Sequence, residues 1–465
     1  MNKPMIQHVQ LQPELTVRSP YDGRAVGTVV TTPVEAIGEA VIRAKRAQQD
    51  FAASLPYERR NLLDRLAAAI AAHADEMAGL ISSEMGKTIT EARNEVRRAQ
   101  NTLRLSGDAA TFLDGEVLHC GIVAGGVDRQ AVVTWQPVGV VGAVTPFNYP
   151  LNLLCHKLGP AIAAGNAIVA KPSPKAPLAA DLLGDLAIEA GFPKDLFQVV
   201  HGHAEAAIAL ASAPIDLLSF TGGPAAGLAL KTASGLIRTL MELGGNDPLF
   251  VLPDADLDAA VATAMGQRFE IAGQSCAAVK KLFLHEAIAE RFVEKLLAGV
   301  EHIGVGDPAD EATRMGPVID EAAAQSVEAR IADAREKGAR TLAGGTRRGT
   351  LVAPTVMDRV APDSALVTTE TFGPVVAIRR FADIGAVIEE VNAGSYGLQA
   401  GVFTNDHAVV RRFSRELRVG GVMINEGPDF RAEHVPFGGI KQSGLGREGV
   451  RIALREMSET KVVID

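Results

Sequence analysis

Cysteine is scarce in this sequence: 465 residues hold 3, at Cys120, Cys155 and Cys276, with no C-x-x-C pair. A sparse, odd set excludes a disulfide framework and a zinc cage, and free thiols imply a reducing compartment, read here as the cytoplasm. Long apolar runs are missing too. Nowhere do about 18 such residues follow one another without charge or Gly/Pro punctuation, and residues 1–19 contain no apolar leader segment, so neither a membrane span nor a signal peptide is expected. Charge of one sign never accumulates against a net of −9, which leaves no surface for nucleic acid. Neither a fixed-period repeat nor a low-complexity tract interrupts the chain.

What is present is ordinary globular material, 47% hydrophobic and 22% charged, at a length that predicts two or three domains. Thr32 and Glu35 have the spacing of a capping box with Pro33 at the first helical position, followed by Ile37, Val41, Ala44, Ala47 and Phe51 at helical intervals. A second helix is read from Tyr57 to Met85, stopped by Gly86, and Thr88 with Glu91 opens a third toward Leu113. From residue 138 the texture changes. Short apolar runs such as "VGVVGAVTP", "AIVAKP" and "LLSFTG" alternate with helical stretches, one of them over 176–190 with Leu178, Leu182, Leu183, Leu186 and Ile188 on its apolar face. This alternation predicts βαβ units and a parallel sheet, and it restarts after Asn246 with "DPLFVL", "KKLFLHE", "VVAIRRF" and "QAGVFTN". The stretches 128–137 and 459–465 alternate like exposed strands suited to pairing between subunits.

Two glycine motifs compete for a dinucleotide. "GLGREG" (444–449) matches G-x-G-x-x-G but stands too near the chain end to open a βαβ unit. "FTGGPAAG" (220–227) follows an apolar run and precedes a helical segment, so its amides could face a pyrophosphate; the glycines fit a plain turn equally well. Cys276, in "AGQSCAA", reads by itself as a small core residue or as a nucleophile.

Five stretches in order, "TPFNYP" at 145, "MELGGNDP" at 241, "AGQSCAA" at 272, "ETFGPV" at 370 and "PFGGIKQSGLGRE" at 436, resemble the aldehyde dehydrogenase superfamily over essentially the whole chain. The resemblance implies an α/β aldehyde dehydrogenase fold. Its parts would be a Rossmann-like cofactor domain over 1–117 and 138–246 with 427–447 returning to it, a catalytic α/β domain over 247–426, and a small β extension for oligomerisation over 118–137 and 448–465. A homodimer or homotetramer would follow. By motif, Cys276 is the nucleophile, Glu242 the general base and Asn148 an oxyanion donor. Cofactor contacts would come from Thr145, Pro146 and Phe147, from Lys171, Ser173, Pro174 and Lys175, from Gly222, Gly223 and Gly227, and from Leu243, Gly244, Glu370 and Phe372. No metal is expected.

Departures from the family pattern narrow the reading. Pro174 stands where NAD-selective relatives often carry a glutamate, and Lys175 follows, so NADP is acceptable alongside NAD. Ile271 replaces a frequent asparagine, and Ser275 precedes the cysteine. Glu242 favours the hydrolytic branch over a CoA-acylating or phosphate-type semialdehyde dehydrogenase, and over a non-catalytic cofactor-binding protein. "CHKLGPAIAAGN" and "GPDFRAEHVPFGG" are similar to the group acting on lactaldehyde, glyceraldehyde 3-phosphate without phosphorylation, and phosphonoacetaldehyde. A short polar or anionic aldehyde is therefore expected, with Arg104, His156 and Ser275 as its contacts. An aromatic content of 5% speaks against an aryl pocket.

Overall fold

A computed structural model of the chain describes residues 14–465, so the first 13 residues of the expected cofactor segment lie outside the described residues. The strands Val140–Val144 and Ala167–Lys171 are buried along their whole length, as their unbroken apolar runs require of a sheet covered on both faces. They belong to a six-stranded sheet in which Val140–Val144 lies between Ala167–Lys171 and Leu217–Thr221, with Phe197–Val199 beyond the first and Arg238–Glu242 beyond the second. All five are parallel. Chain order reverses at Val140–Val144, and a reversal of this kind opens a crevice at the carboxyl ends of the two strands that flank it. Those ends run into residues 145–148 and 221–223, two of the motifs singled out from the sequence.

"GLGREG" is no phosphate loop. Its first two residues form a short strand antiparallel to Arg238–Glu242, with Gly444 opposite Glu242.

A second sheet begins at Pro248–Val251 and has seven strands, all parallel except for the outermost pairing of Arg340–Ala343 with Thr355–Asp358. Only residues 243–247 separate Glu242, at the carboxyl end of the first sheet, from Pro248, at the amino end of the second. So short a bridge spans about 20 Å at most. The carboxyl edge of one sheet and the amino edge of the other therefore border one cleft.

The helices follow the sequence with four differences. Helix Ile89–Ala110 has its capping box: Glu91 N–H donates to Thr88 Oγ1, and the Glu91 carboxylate accepts from Thr88 N–H. The box expected at Thr32 is absent. Helix Val34–Phe51 starts after an extended Pro33, and the Thr32 hydroxyl instead accepts from His201 N–H. The expected helix 57–85 is two, Pro56–Ala72 and Ala74–Met85, broken at His73, whose φ of −107° and ψ of 25° leave the helical region. Ile188 is 74% exposed, because the buried stripe of helix Leu178–Glu189 runs through Ala179, Leu183, Leu186 and Ala187. The two strands expected to pair across subunits pair with each other, Ser458–Ile464 against Gln130–Pro137, with Glu116–His119 on the other side. The preceding helix Val450–Glu456 sends Leu454 into the first core, as does Met457 after it, so the closing segment is anchored before it becomes a strand. Among the described residues no helix is long and apolar enough to cross a membrane.

Gly86 ends helix Ala74–Met85 at φ 81°, where an added Cβ would approach Pro317 Cγ to 2.7 Å. Gly86→Ala is expected to lower stability by about 1–2 kcal/mol through the left-handed backbone alone. An unfolding midpoint equal to wild type would contradict this.

Candidate active site

The cleft between the sheets holds a cavity of about 440 Å³ lined by Asn148, Glu242, Cys276, Glu370, Phe147 and Phe372. Each arrives at the end of a regular element: Asn148 just past Val140–Val144, Glu242 as the last residue of its strand, and Cys276 just before strand Lys281–His285. Pro146, Lys175, Gly222, Gly223, Leu243, Gly244 and Ser275 also line it. The other expected cofactor residues do not. Thr145 and Lys171 are buried side by side, with Thr145 N–H donating to Lys171 O at 3.2 Å. Burial lowers the Lys171 ammonium to about 8. Ser173 accepts from Lys175 N–H, and Pro174 faces an adjacent groove. Gly227 serves packing, since a Cβ there would meet Leu243 Cδ2 at 2.6 Å.

The turn that presents Cys276 is strained. Ile271, Ala272 and Gly273 follow one another at φ 46°, 52° and 72°, and a left-handed non-glycine residue costs roughly 1–2 kcal/mol. Side chains hold this run in place. Ile271 N–H donates to Glu91 Oε1 at 2.8 Å, so the carboxylate that caps helix Ile89–Ala110 also pins the turn. Arg268, fully buried, donates to Gly273 O at 2.7 Å and to the Gly373 carbonyl. Gln274 Nε2 donates to Ile271 O, and Gln274 Oε1 accepts from Ile319 N–H. Asn148 Nδ2 donates one hydrogen to Gln274 O at 2.9 Å, which orients the amide and leaves its second hydrogen for a ligand.

Burial raises the Cys276 thiol, and the Asp429 carboxylate adds to the shift; the Lys280 ammonium opposes it. Glu242 is raised well above the usual carboxylate range by burial and by neighbouring Glu448, and its Oε2 has no partner. Glu448 itself is held low by Lys157 and Arg431, each 2.9 Å away. Both candidate reactive groups are thus raised, over a buried ionic network. Glu370 accepts from Gly245 N–H at 2.9 Å, and only glycine fits at 244, where a Cβ would stand 2.0 Å from Glu370 Oε2. With the side-chain-free Gly222–Gly223 turn ahead of helix Pro224–Ser234, the residues present fit a nicotinamide dinucleotide: phosphates at a helix start, and a carboxylate and two aromatic rings at the other end.

The three expected substrate contacts fare differently. Arg104 is exposed; Arg98, about 120° away around that helix, lines the cavity instead. His156 is buried behind the cavity, 3.4 Å from Glu433, and burial lowers it to about 4, so it is neutral. Ser275 does line the cavity, but its hydroxyl proton goes to Asp429. Lys175, expected to meet a phosphate, is ion-paired with Asp320. Tyr149, Asp429 and Arg431 were not singled out in the sequence. The last two line the cavity on either side of Phe430, which is 53% exposed; Asp429 sits in a turn closed by Phe430 N–H on Gly427 O, so no regular period marks the pair.

The profile of the Aldehyde dehydrogenase family matches residues 8–463. The chain is 40% identical to a sulfoacetaldehyde dehydrogenase of Neptuniibacter caesariensis, over 96% of this chain and 98% of that protein. It is 37% identical to a lactaldehyde dehydrogenase of Methanococcus vannielii, over 98% and 97% respectively. Among solved structures it resembles glyceraldehyde-3-phosphate dehydrogenase GapN of Methanocaldococcus jannaschii complexed with NADP. That match has a TM-score of 0.94 at 35% identity, covering 98% of this chain and all of that one.

Because the Cys276 thiol is raised, it is protonated at neutral pH and ionises as pH rises. Alkylation of Cys276 by iodoacetamide in the ligand-free protein is expected to climb steadily from about pH 7 to 10. A plateau reached below pH 8, read by peptide mass spectrometry, would show a thiolate at rest and contradict the assignment.

Proposed function

This chain belongs to the aldehyde dehydrogenase family, and from that premise we propose that it oxidises short anionic aldehydes to carboxylic acids, with NADP or NAD as hydride acceptor, through a thioester on Cys276. One observation carries the reading: a single cavity gathers Asn148, Glu242, Cys276 and Glu370 from segments far apart in sequence. The first parallel sheet would serve the cofactor and the second the nucleophile.

In this reading the Cys276 sulfur bonds to the carbonyl carbon and gives up its proton to solvent, while the carbonyl oxygen takes the negative charge. The free hydrogen of Asn148 Nδ2 and the Cys276 backbone amide meet that charge, each such donor being worth about 10²–10³ in rate. Bound cofactor supplies the acceptor for the hydride, held by Glu370, Phe147 and Phe372 at one end and by the Gly222–Gly223 turn toward the other. Water then opens the thioester. Glu242 Oε2 accepts the water proton, the carbon–sulfur bond breaks, and the sulfur is reprotonated. Glu242 must be ionised to act, and since its carboxyl is raised, deacylation speeds up as pH rises. A CoA-acylating enzyme or a non-catalytic protein has no need of Glu242 in this position.

Arg98 and Arg431 are the reason to favour an anionic substrate. Arg98 places Nε and Nη2 on Glu433, and Arg431 places Nη2 on Glu448; the Nη1 group of each bonds to no described residue. The relatives named for sulfoacetaldehyde and lactaldehyde agree with small polar or anionic substrates. Pro174 removes the side chain that would repel a 2′-phosphate, and Lys175 would exchange Asp320 for that phosphate. A homodimer or homotetramer is supported by the outer strand Ser458–Ile464, which exposes Val462, Val463 and Ile464 beside a free edge. The three free cysteines suit the cytoplasm.

Glu242→Gln is expected to release one equivalent of reduced cofactor in a burst and then turn over at least about 10²-fold slower than wild type; steady turnover at the original rate removes Glu242 from the base role. Arg98→Met is expected to raise KM at least about tenfold for 4-oxobutanoate but to change it little for propanal. Equal effects on both aldehydes would remove Arg98 from the substrate site.

A further inference from the structure

Asp429 is a charged group without adequate partners. It lines the cavity, and its Oδ1 accepts the Ser275 hydroxyl at 2.9 Å. That is its side chain's one hydrogen bond among the described residues, and no lysine or arginine among them lies within 4.0 Å. Lys280, Arg98 and Arg268 act on it only from farther away. Half-buried at the cavity wall, it keeps one oxygen without a protein donor, and a molecule that fills the cavity shuts water away from that oxygen, which is costly unless the molecule brings a donor of its own.

The group is also fixed in place. Its backbone N–H donates to Gln267 Oε1 at 2.9 Å, and Gln267 Nε2 donates to Glu426 Oε1 at 3.1 Å. Gly427 leaves room for that amide, since a Cβ there would stand 2.0 Å from Gln267 Oε1. Swinging Asp429 out to solvent would therefore break the partly buried bond to Gln267. Through Ser275 the carboxylate sits one residue from Cys276 on the wall of the same cavity, close to where the reacting carbon of a bound aldehyde would lie. Arg98 and Arg431 line the same cavity with donors to spare.

We propose that Asp429 determines specificity: the site takes aldehydes that carry a hydrogen-bond donor, a hydroxyl or an ammonium, on the first carbons beyond the carbonyl, with the anionic end of the molecule at Arg98 and Arg431. This rests on the aldehyde-oxidising reading above and narrows its substrate class. A donor on the substrate completes the coordination of Oδ2, whereas an analogue without it covers that oxygen and leaves it unpaired, a penalty that hydrogen-bonding sites turn into strong discrimination.

The test uses the full-length enzyme with NADP and NAD, and two aldehydes that differ by one hydroxyl, 3-hydroxy-4-oxobutanoate and 4-oxobutanoate. The reading is the ratio of their kcat/KM values on one preparation, which does not depend on how much of a variant is folded. Wild type is expected to favour the hydroxylated aldehyde at least tenfold, and Asp429→Ala to bring the ratio within threefold of unity; Asp429→Ser replaces it if the alanine variant does not fold. A wild-type ratio near unity, or a ratio unchanged on removing the carboxylate, overturns the inference. If instead neither aldehyde is oxidised and Cys276 is never acylated, it is the assignment of the reaction that has failed.

Discussion

The fully buried guanidinium of Arg268 is the contact on which the site's geometry depends. It has no carboxylate within 4.0 Å among the described residues. Its donors go to backbone carbonyls, those of Gly273 and Val279 on the nucleophile turn and those of Thr371 and Gly373 beside Glu370 and Phe372. Burial lowers it to about 9, still protonated at neutral pH. One cation thus ties the loop carrying the proposed nucleophile to the segment that would hold the nicotinamide half of the cofactor. The left-handed run at Ile271 and Ala272 is affordable because Arg268, Glu91 and Gln274 all bind it; strain of this kind persists where surrounding contacts over-determine the backbone.

The same economy of charge extends under the proposed base. Lys157 donates to Ser219, Thr221 and Glu448, and Arg431 reaches Glu448 from the cavity side. Glu448 is therefore the settled anion, and Glu242 beside it is the carboxyl that is raised. The two carboxyls differ because their donors differ: Glu448 has two cations in contact, and Glu242 Oε2 has nothing. Groups pushed apart in this way are the raw material of acid–base chemistry.

Much of this was legible beforehand. The parallel sheets, the Thr88 cap and the stop at Gly86 follow from periodicity and from local backbone chemistry, which need few distant contacts. Asn148, Glu242, Cys276 and Glu370 could be picked out by motif, yet their convergence on one cavity depends on the reversal of strand order and on the short bridge of residues 243–247, which no local pattern states. The failures were of facing and of partnership. Arg104 is exposed while Arg98 lines the cavity, because Glu95 and Thr102 turn the Arg98 side of the helix inward. His156 looked like a ligand contact but lies on helix Asn152–Ala164, every residue of which is buried. Thr32 had the right spacing for a cap but found a better donor in His201, far away in sequence.

The uncharged resting state of Cys276 has a bearing on how the protein ages. Peroxides and other electrophilic oxidants attack the thiolate and not the thiol. A sulfur kept protonated by its surroundings until a turnover begins is poorly oxidised to sulfenic acid while idle. Cys155, sealed in the core and raised further by burial, is shielded by depth as well. Oxidative damage should therefore accumulate on methionines and surface groups before it reaches the proposed nucleophile.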